Sequence, residues 1–111
     1  MWVAAVQLNS TPDLEANLAR AQGLVEEAAA RGARLVALPE HFACLGSAAD
    51  TAAVAQPLDG PLVTCFRELA GKLGIFLLLG SFPERTPGKA RPYNTSHAAG
   101  DAKPNGWRPI S

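Results

Sequence analysis

Apolar residues are arranged along the chain in three short continuous runs, separated by two stretches that repeat with helical spacing. The first run, Trp2-Val3-Ala4-Ala5-Val6-Gln7-Leu8, stops at the turn-forming Asn9-Ser10-Thr11-Pro12, a pattern that predicts a strand buried on both faces. Thr11 is placed to cap a helix, with Pro12 at its first position and Asp13 in its first turn, where a carboxylate offsets the positive end of the helix dipole. Leu14, Leu18, Ala21, Val25 and Ala28 then fall on one helical face, with Glu15, Arg20, Glu26 and Glu27 off it, and Gly32 is the left-handed residue expected to end the helix. A second apolar run, residues 34–38, is bounded by Pro39. Coming after an amphipathic helix, it completes a βαβ unit with parallel strands and leaves Glu40 just past the strand's carboxyl end.

Residues 41–60 are rich in small side chains and weakly periodic, which predicts a loop with at most a short helix. Leu62, Phe66, Leu69 and Leu73 restore a helical face over residues 61–73, and Gly74 supplies its stop. Residues 75–80 form the third apolar run, and residues 81–88 read as a loop containing Pro83, Pro87 and Gly88. A fourth strand begins in Arg91-Pro92-Tyr93-Asn94-Thr95-Ser96, but residues 97–111 lose all alternation and are not expected to continue it. The pattern therefore predicts an α/β fold of the βαβαβ type with a mostly parallel sheet. Residues 1–96 make up a partial domain, and residues 97–111 an unpatterned tail.

A chain of 111 residues, 48% hydrophobic, is one domain's worth and can bury about two thirds of its unfolded surface. Ten basic residues balance ten acidic ones, so no net field draws in a nucleic acid or an anionic membrane, and a small molecule is the expected partner. Cys44 and Cys65 are too few for a disulfide framework and lack metal-site spacing, which suits free thiols in the cytoplasm. The N-terminus has no basic leader region, and its apolar run is too short for a signal peptide or a membrane span. A nucleotide-binding βαβ module is a further reading of the pattern. Against it, Asn9-Ser10-Thr11-Pro12-Asp13 offers no glycine-rich loop of amide donors, and no cofactor is expected.

The candidate chemistry starts at Leu38-Pro39-Glu40. Ligands of open parallel sheets collect outside the carboxyl ends of the strands, so an acid delivered there faces the candidate site and not the core. Pro39 fixes its own φ and keeps Leu38 extended, which aims the next side chain. Partial desolvation would raise the carboxyl's pKa toward the working pH, as a general base requires. By position alone, a solvated acid in a strand-to-loop turn is the favoured reading, because acids are mostly exposed.

A series of segments in a fixed order adds to that position. Val3-Ala4-Ala5-Val6-Gln7-Leu8, the Asn17-bearing helix, Ala33-Arg34-Leu35-Val36-Ala37-Leu38-Pro39-Glu40, Pro57-Leu58-Asp59-Gly60-Pro61, Leu73-Gly74-Ile75, Gly80-Ser81-Phe82-Pro83-Glu84-Arg85 and Tyr93-Asn94-Thr95-Ser96 together resemble the opening half of the nitrilase superfamily of carbon–nitrogen hydrolases. The resemblance spans residues 2–96, and the ordered run is more specific than any one short motif. It implies the N-terminal half of an αββα sandwich and hydrolysis of a small amide or nitrile by a Glu-Lys-Cys triad, with Glu40 as general base and no metal. It also implies a homo-oligomer. By the family's spacing, about eighteen residues beyond the Tyr-Asn motif, the lysine falls near Ser111, and the cysteine lies farther on. Lys103 comes too early to take the lysine's role. The resemblance thus leaves this chain with Glu40 alone of the triad, inactive by itself or completed by a complementing chain.

The remaining reactive side chains have plain explanations. Cys44 lies four residues after Glu40 but has no accompanying cation, and reads as a half-buried loop thiol; Cys65 flanks the apolar stripe of the second helix as a small hydrophobe. His41 either orients the acid or is an exposed loop histidine. His97, Lys89, Arg91, Lys103 and Arg108 read as solvated surface. Tyr93 and Asn94 either border the site or start a strand. The loss of pattern after Ser96 suggests a truncated or frame-shifted product. Two helices can cover only one face of the sheet, so the other is expected to stay apolar and open.

Overall fold

The computed structural model of the chain describes residues 2–88 and 92–100. Its elements run β1 (Trp2–Ala5), α1 (Leu14–Ala30), β2 (Ala33–Ala37), α2 (Ala48–Val54), α3 (Pro61–Leu73), β3 (Phe76–Glu84) and β4 (Tyr93–Gly100). The sheet order is β1-β2-β3-β4, with β1, β2 and β3 parallel and β4 antiparallel to β3. This is the expected α/β arrangement, with the fourth strand reversed. Lys89, Arg91, Lys103 and Arg108 lie outside the described residues, as does the tail from residue 101.

The helices begin and end where backbone groups find partners. Asp13, not Thr11, caps α1, accepting from the Ala16 amide at 3.1 Å. Thr11 is unavailable as a cap because its hydroxyl donates to Asn17 Oδ1 at 3.2 Å and accepts from the Asp13 amide at 3.1 Å. Helix α3 spans the predicted residues, with Pro61 in its first turn and Gly74 left-handed at φ 65°, as a C-terminal glycine should be. Its free Leu62 amide donates to Gln56 Oε1 at 2.8 Å, a side-chain cap contributed by the preceding segment. Within the weakly patterned loop, α2 is closed by a capping box between Ser47 and Asp50.

Strand register decides which side chains meet the helices. Ala4, Val36 and Leu77 are paired across β1, β2 and β3 and belong to the core or pack on it, together with Ala21 and Val25 of α1 and Leu62, Phe66 and Ala70 of α3. Phe42 anchors this core with edge-on contacts to Phe66 and Phe82, ring centroids 5.5 and 6.3 Å away. The alternate lines, Val3–Leu35–Phe76 and Ala5–Ala37–Leu78, are apolar as well but face the other way, because strand side chains alternate. None of these six is buried, and Val3 is 59% exposed. β1 is therefore covered on one face only, contrary to the expectation of burial on both.

The largest departure from the sequence expectation concerns β3 and β4. β3 continues through Ser81, Phe82, Pro83 and Glu84, where the prolines predict a loop, and β4 continues past Ser96 to Gly100. Phe82, Pro83 and Glu84 pair with Thr95, Asn94 and Tyr93, after an irregularity between Leu79 and Phe82. Pro83 brings no amide, yet its carbonyl accepts from the Gln56 amide at 3.2 Å, and the Arg85 amide donates back to Gln56 at 2.9 Å. His97 and Ala98 are half-buried and Ala99 is buried, so His97 is part of the sheet and not solvated surface. Among the described residues, no helix is long and apolar enough to cross a membrane.

Gly80, inside the irregularity, brings β3 against the end of β2. A Cβ at this position would overlap the Leu38 carbonyl and the backbone of Pro39, so only glycine permits the approach. Gly80→Ala is expected to cost about 2 kcal/mol, the scale of core overpacking, measured as a lower urea midpoint; an unchanged midpoint would show that the contact is loose. The open face should drive concentration-dependent self-association. Leu35→Lys with Phe76→Lys should reduce light scattering while the far-UV circular dichroism stays the same, and a parent chain that sediments as a monomer at high concentration would refute this.

Candidate active site

Glu40 sits where the chain leaves the sheet. β2 ends at Ala37, the Leu38 amide still donates to the Leu78 carbonyl at 2.8 Å, and Leu38 is buried. Pro39 follows, and Glu40 and His41 form a turn. The acid is therefore at the carboxyl end of a central parallel strand, as the sequence predicts. Its side chain is exposed, so the desolvation expected of a general base is not provided by the described residues.

The turn is fastened on both sides. His41 has φ 54°, and its amide donates to the hydroxyl of buried Ser81 at 2.7 Å. The next three residues, Phe42, Ala43 and Cys44, are all buried. The Phe42 carbonyl accepts from the Ser10 hydroxyl at 3.2 Å, and the Leu45 amide donates to the Thr11 carbonyl at 3.0 Å. Between these two loops lies Asn17, fully buried on α1. Its Nδ2 donates to the carbonyls of Thr11 at 2.6 Å and Ala43 at 2.8 Å, while its Oδ1 accepts from the Thr11 amide and from Arg20. The loops after β1 and β2 are thus locked together. A cleft of about 490 Å³ opens at the strand ends, lined by Gln7, Leu8, Asn9 and Pro39. A separate groove of about 330 Å³ runs along β1 beside Leu24 and Ala28 of α1 and includes none of residues 38–45.

The other candidate side chains divide clearly. Cys44 lines a small cleft of about 120 Å³ with His41, Thr51 and Asn94, which brings the thiol near the turn. Burial pushes its pKa up, the Asp50 carboxylate adds to the shift, and the Thr51 hydroxyl opposes it. These surroundings favour the protonated thiol, the weaker nucleophile. Cys65 is half-buried and accepts from Gln22 Nε2 at 2.7 Å, so it bridges α1 and α3 with a polar contact as well as apolar packing. Asn94 is exposed, while Tyr93 pairs with Glu84 through the backbone. Among the described residues, no group of three or more His, Cys, Asp or Glu side chains could hold a metal ion. Sequence reasoning did not find Asn17, Gly80 and Ser81 as supports of the site. The available signals were a polar residue on an apolar helix face and a glycine inside an apolar strand.

Comparison with known proteins agrees with this architecture. The chain is 42% identical over 84 residues to the deaminated glutathione amidase of Rattus norvegicus, covering 75% of this chain and 26% of that protein. It is 40% identical over 98 residues to the omega-amidase NIT2 of Danio rerio, covering 88% and 35%. Saccharomyces cerevisiae Nit3, a member of branch 10 of the nitrilase superfamily, superposes with a TM-score of 0.78 at 35% identity, over 89% of this chain and 39% of that one. The C. elegans NitFhit protein superposes with a TM-score of 0.77 at 30% identity, over 89% and 24%. The chain thus spans 24% to 39% of the length of these relatives. The family model for carbon–nitrogen hydrolases matches residues 2–103, and with this fold and these relatives the chain belongs to the carbon–nitrogen hydrolase family.

Proposed function

We propose that this chain carries the general-base portion of a cytoplasmic hydrolase that cleaves a small amide or nitrile, with Glu40 as the proton acceptor. The reading is carried by one observation, a carboxylate in a fixed turn at the carboxyl end of β2, within the span matched to the family. The names of the relatives, an omega-amidase and deaminated glutathione amidases, favour an amide over a nitrile. In the reaction, a thiol attacks the carbonyl carbon, Glu40 takes the thiol's proton and passes it to the departing amine, and a lysine balances the oxyanion. Water then cleaves the acyl thioester, with Glu40 taking the water's proton and returning it to the sulfur. The lysine and the cysteine are assigned to residues outside this chain. The chain acts either as part of a longer homo-oligomeric hydrolase or as a subunit completed by another polypeptide. The alternative is a truncated fragment without catalytic role.

A chimera tests the assignment. Residues 2–100 are joined to the remaining C-terminal part of the Danio rerio omega-amidase, and ammonia release from small primary amides is followed. The chimera should be active and the 111-residue chain alone inactive, and Glu40→Gln should lower kcat/KM by about 10²–10⁴-fold, the usual worth of a positioned acid–base group. Unchanged activity in Glu40→Gln would remove the general-base role, and ammonia release by the chain alone would mean that another nucleophile is at work. Cys44→Ala should leave the chimera's kcat within about twofold, since a thiol kept protonated by burial is a poor nucleophile; loss of activity with an unchanged melting temperature would count against that.

A further inference from the structure

His41 is the single non-glycine residue with positive φ among the described residues, and it directly follows Glu40. A residue with a Cβ enters this region at a cost and stays there only where its surroundings fix it. What fixes it here is Ser81. Its hydroxyl accepts the His41 amide at 2.7 Å across forty residues of sequence, and Ser81 itself is only 2% exposed. Ser81 is free for this contact because β3 and β4 fall out of register between Leu79 and Phe82. Irregularities of this kind re-aim side chains near functional sites. The neighbouring Gly80 lets the Leu38–Pro39 backbone come close, and the Ser96 hydroxyl donates to the Gly80 carbonyl, tying the irregularity to β4.

We propose that Ser81 is a positioning residue for proton transfer at Glu40: its buried hydroxyl holds the left-handed turn at His41, and that turn sets where the Glu40 carboxylate lies. The inference rests on the reading of Glu40 as general base. Pro39 restricts the backbone on one side of the acid. On the other side, no comparable covalent restriction exists, and the Ser81–His41 hydrogen bond takes its place. Without it the turn relaxes toward ordinary negative φ and the carboxylate swings away from the thiol's proton.

The test uses Ser81→Ala, His41→Gly and the double variant. In the 111-residue chain and in the chimera, Ser81→Ala should speed hydrogen exchange at the His41 amide by about tenfold or more, while the Val36 and Leu79 amides keep their rates. In the chimera, kcat should fall about tenfold to a hundredfold with KM within about twofold, the effect of misplacing a reacting group by about 1 Å. Glycine adopts positive φ without penalty, so in the His41→Gly background Ser81→Ala should cost less than about threefold in kcat, a coupling that independent sites do not show. Equal costs in the two backgrounds, or unchanged exchange at His41, would overturn the proposal. Full activity in Ser81→Ala beside an inactive Glu40→Gln overturns it alone, whereas full activity in Glu40→Gln overturns the general-base reading and this proposal with it.

Discussion

The mouth of the sheet depends on the buried amide of Asn17. All of its hydrogen-bonding capacity is engaged, with two carbonyls accepting from its nitrogen and three donors meeting its oxygen. In a dry environment each lost partner costs about 1–3 kcal/mol, so the Thr11 and Ala43 carbonyls are held at fixed positions around α1. Thr11 belongs to the loop after β1 and Ala43 to the loop after β2. One side chain therefore sets the spacing of the two loops between which the cleft opens. Gly80 and Ser81 do the same from β3, by close approach and by a hydrogen bond. Glu40 lies between these two sets of restraints, in a short exposed turn whose flanks cannot move independently.

How much of this the sequence reveals depends on the range of the interaction. Helix α3 is legible from its apolar spacing and its terminal glycine, both local signals, and the structure reproduces residues 61–73. The start of α1 is displaced by two residues because the Thr11 hydroxyl is taken by Asn17 and by the Asp13 amide, a choice settled by a buried tertiary contact. β3 and β4 are longer than their patterns suggest. Pro83 is tolerated because its carbonyl finds the Gln56 amide, and Ala98 and Ala99 carry too little contrast to show alternation. Glu40 itself is visible in the sequence, since a strand closing on Leu-Pro-Glu places an acid with two local restraints. Its supports leave only faint signals, a polar residue on an apolar face and a glycine in a strand, and their partners are not legible because they lie 26 residues away for Asn17 and Ala43 and 40 for Ser81 and His41. β1 misled for another reason: an unbroken apolar run records that a strand can be covered on both faces, not that these residues supply both covers.

Placement and environment are separate requirements for a general base, and this chain meets them unequally. The turn that carries Glu40 is fixed by contacts wholly within the described βαβαβ unit: Pro39, Gly80, Ser81 and the loop anchored by Asn17. The surroundings of the carboxylate are not, since Glu40 is exposed. A carboxylate in water is a weak acceptor for a thiol's proton, and desolvation is the usual means of correcting this. The same division appears on the sheet, where the line through Val36 and Leu77 is buried and the line through Val3, Leu35 and Phe76 is not. Both places are covered on one side and open on the other. For Glu40 to act as base, a low-polarity cover is needed beyond what the described residues supply. The first strands and helices thus set the geometry of the turn, and an acid–base role for Glu40 would require that geometry to be enclosed.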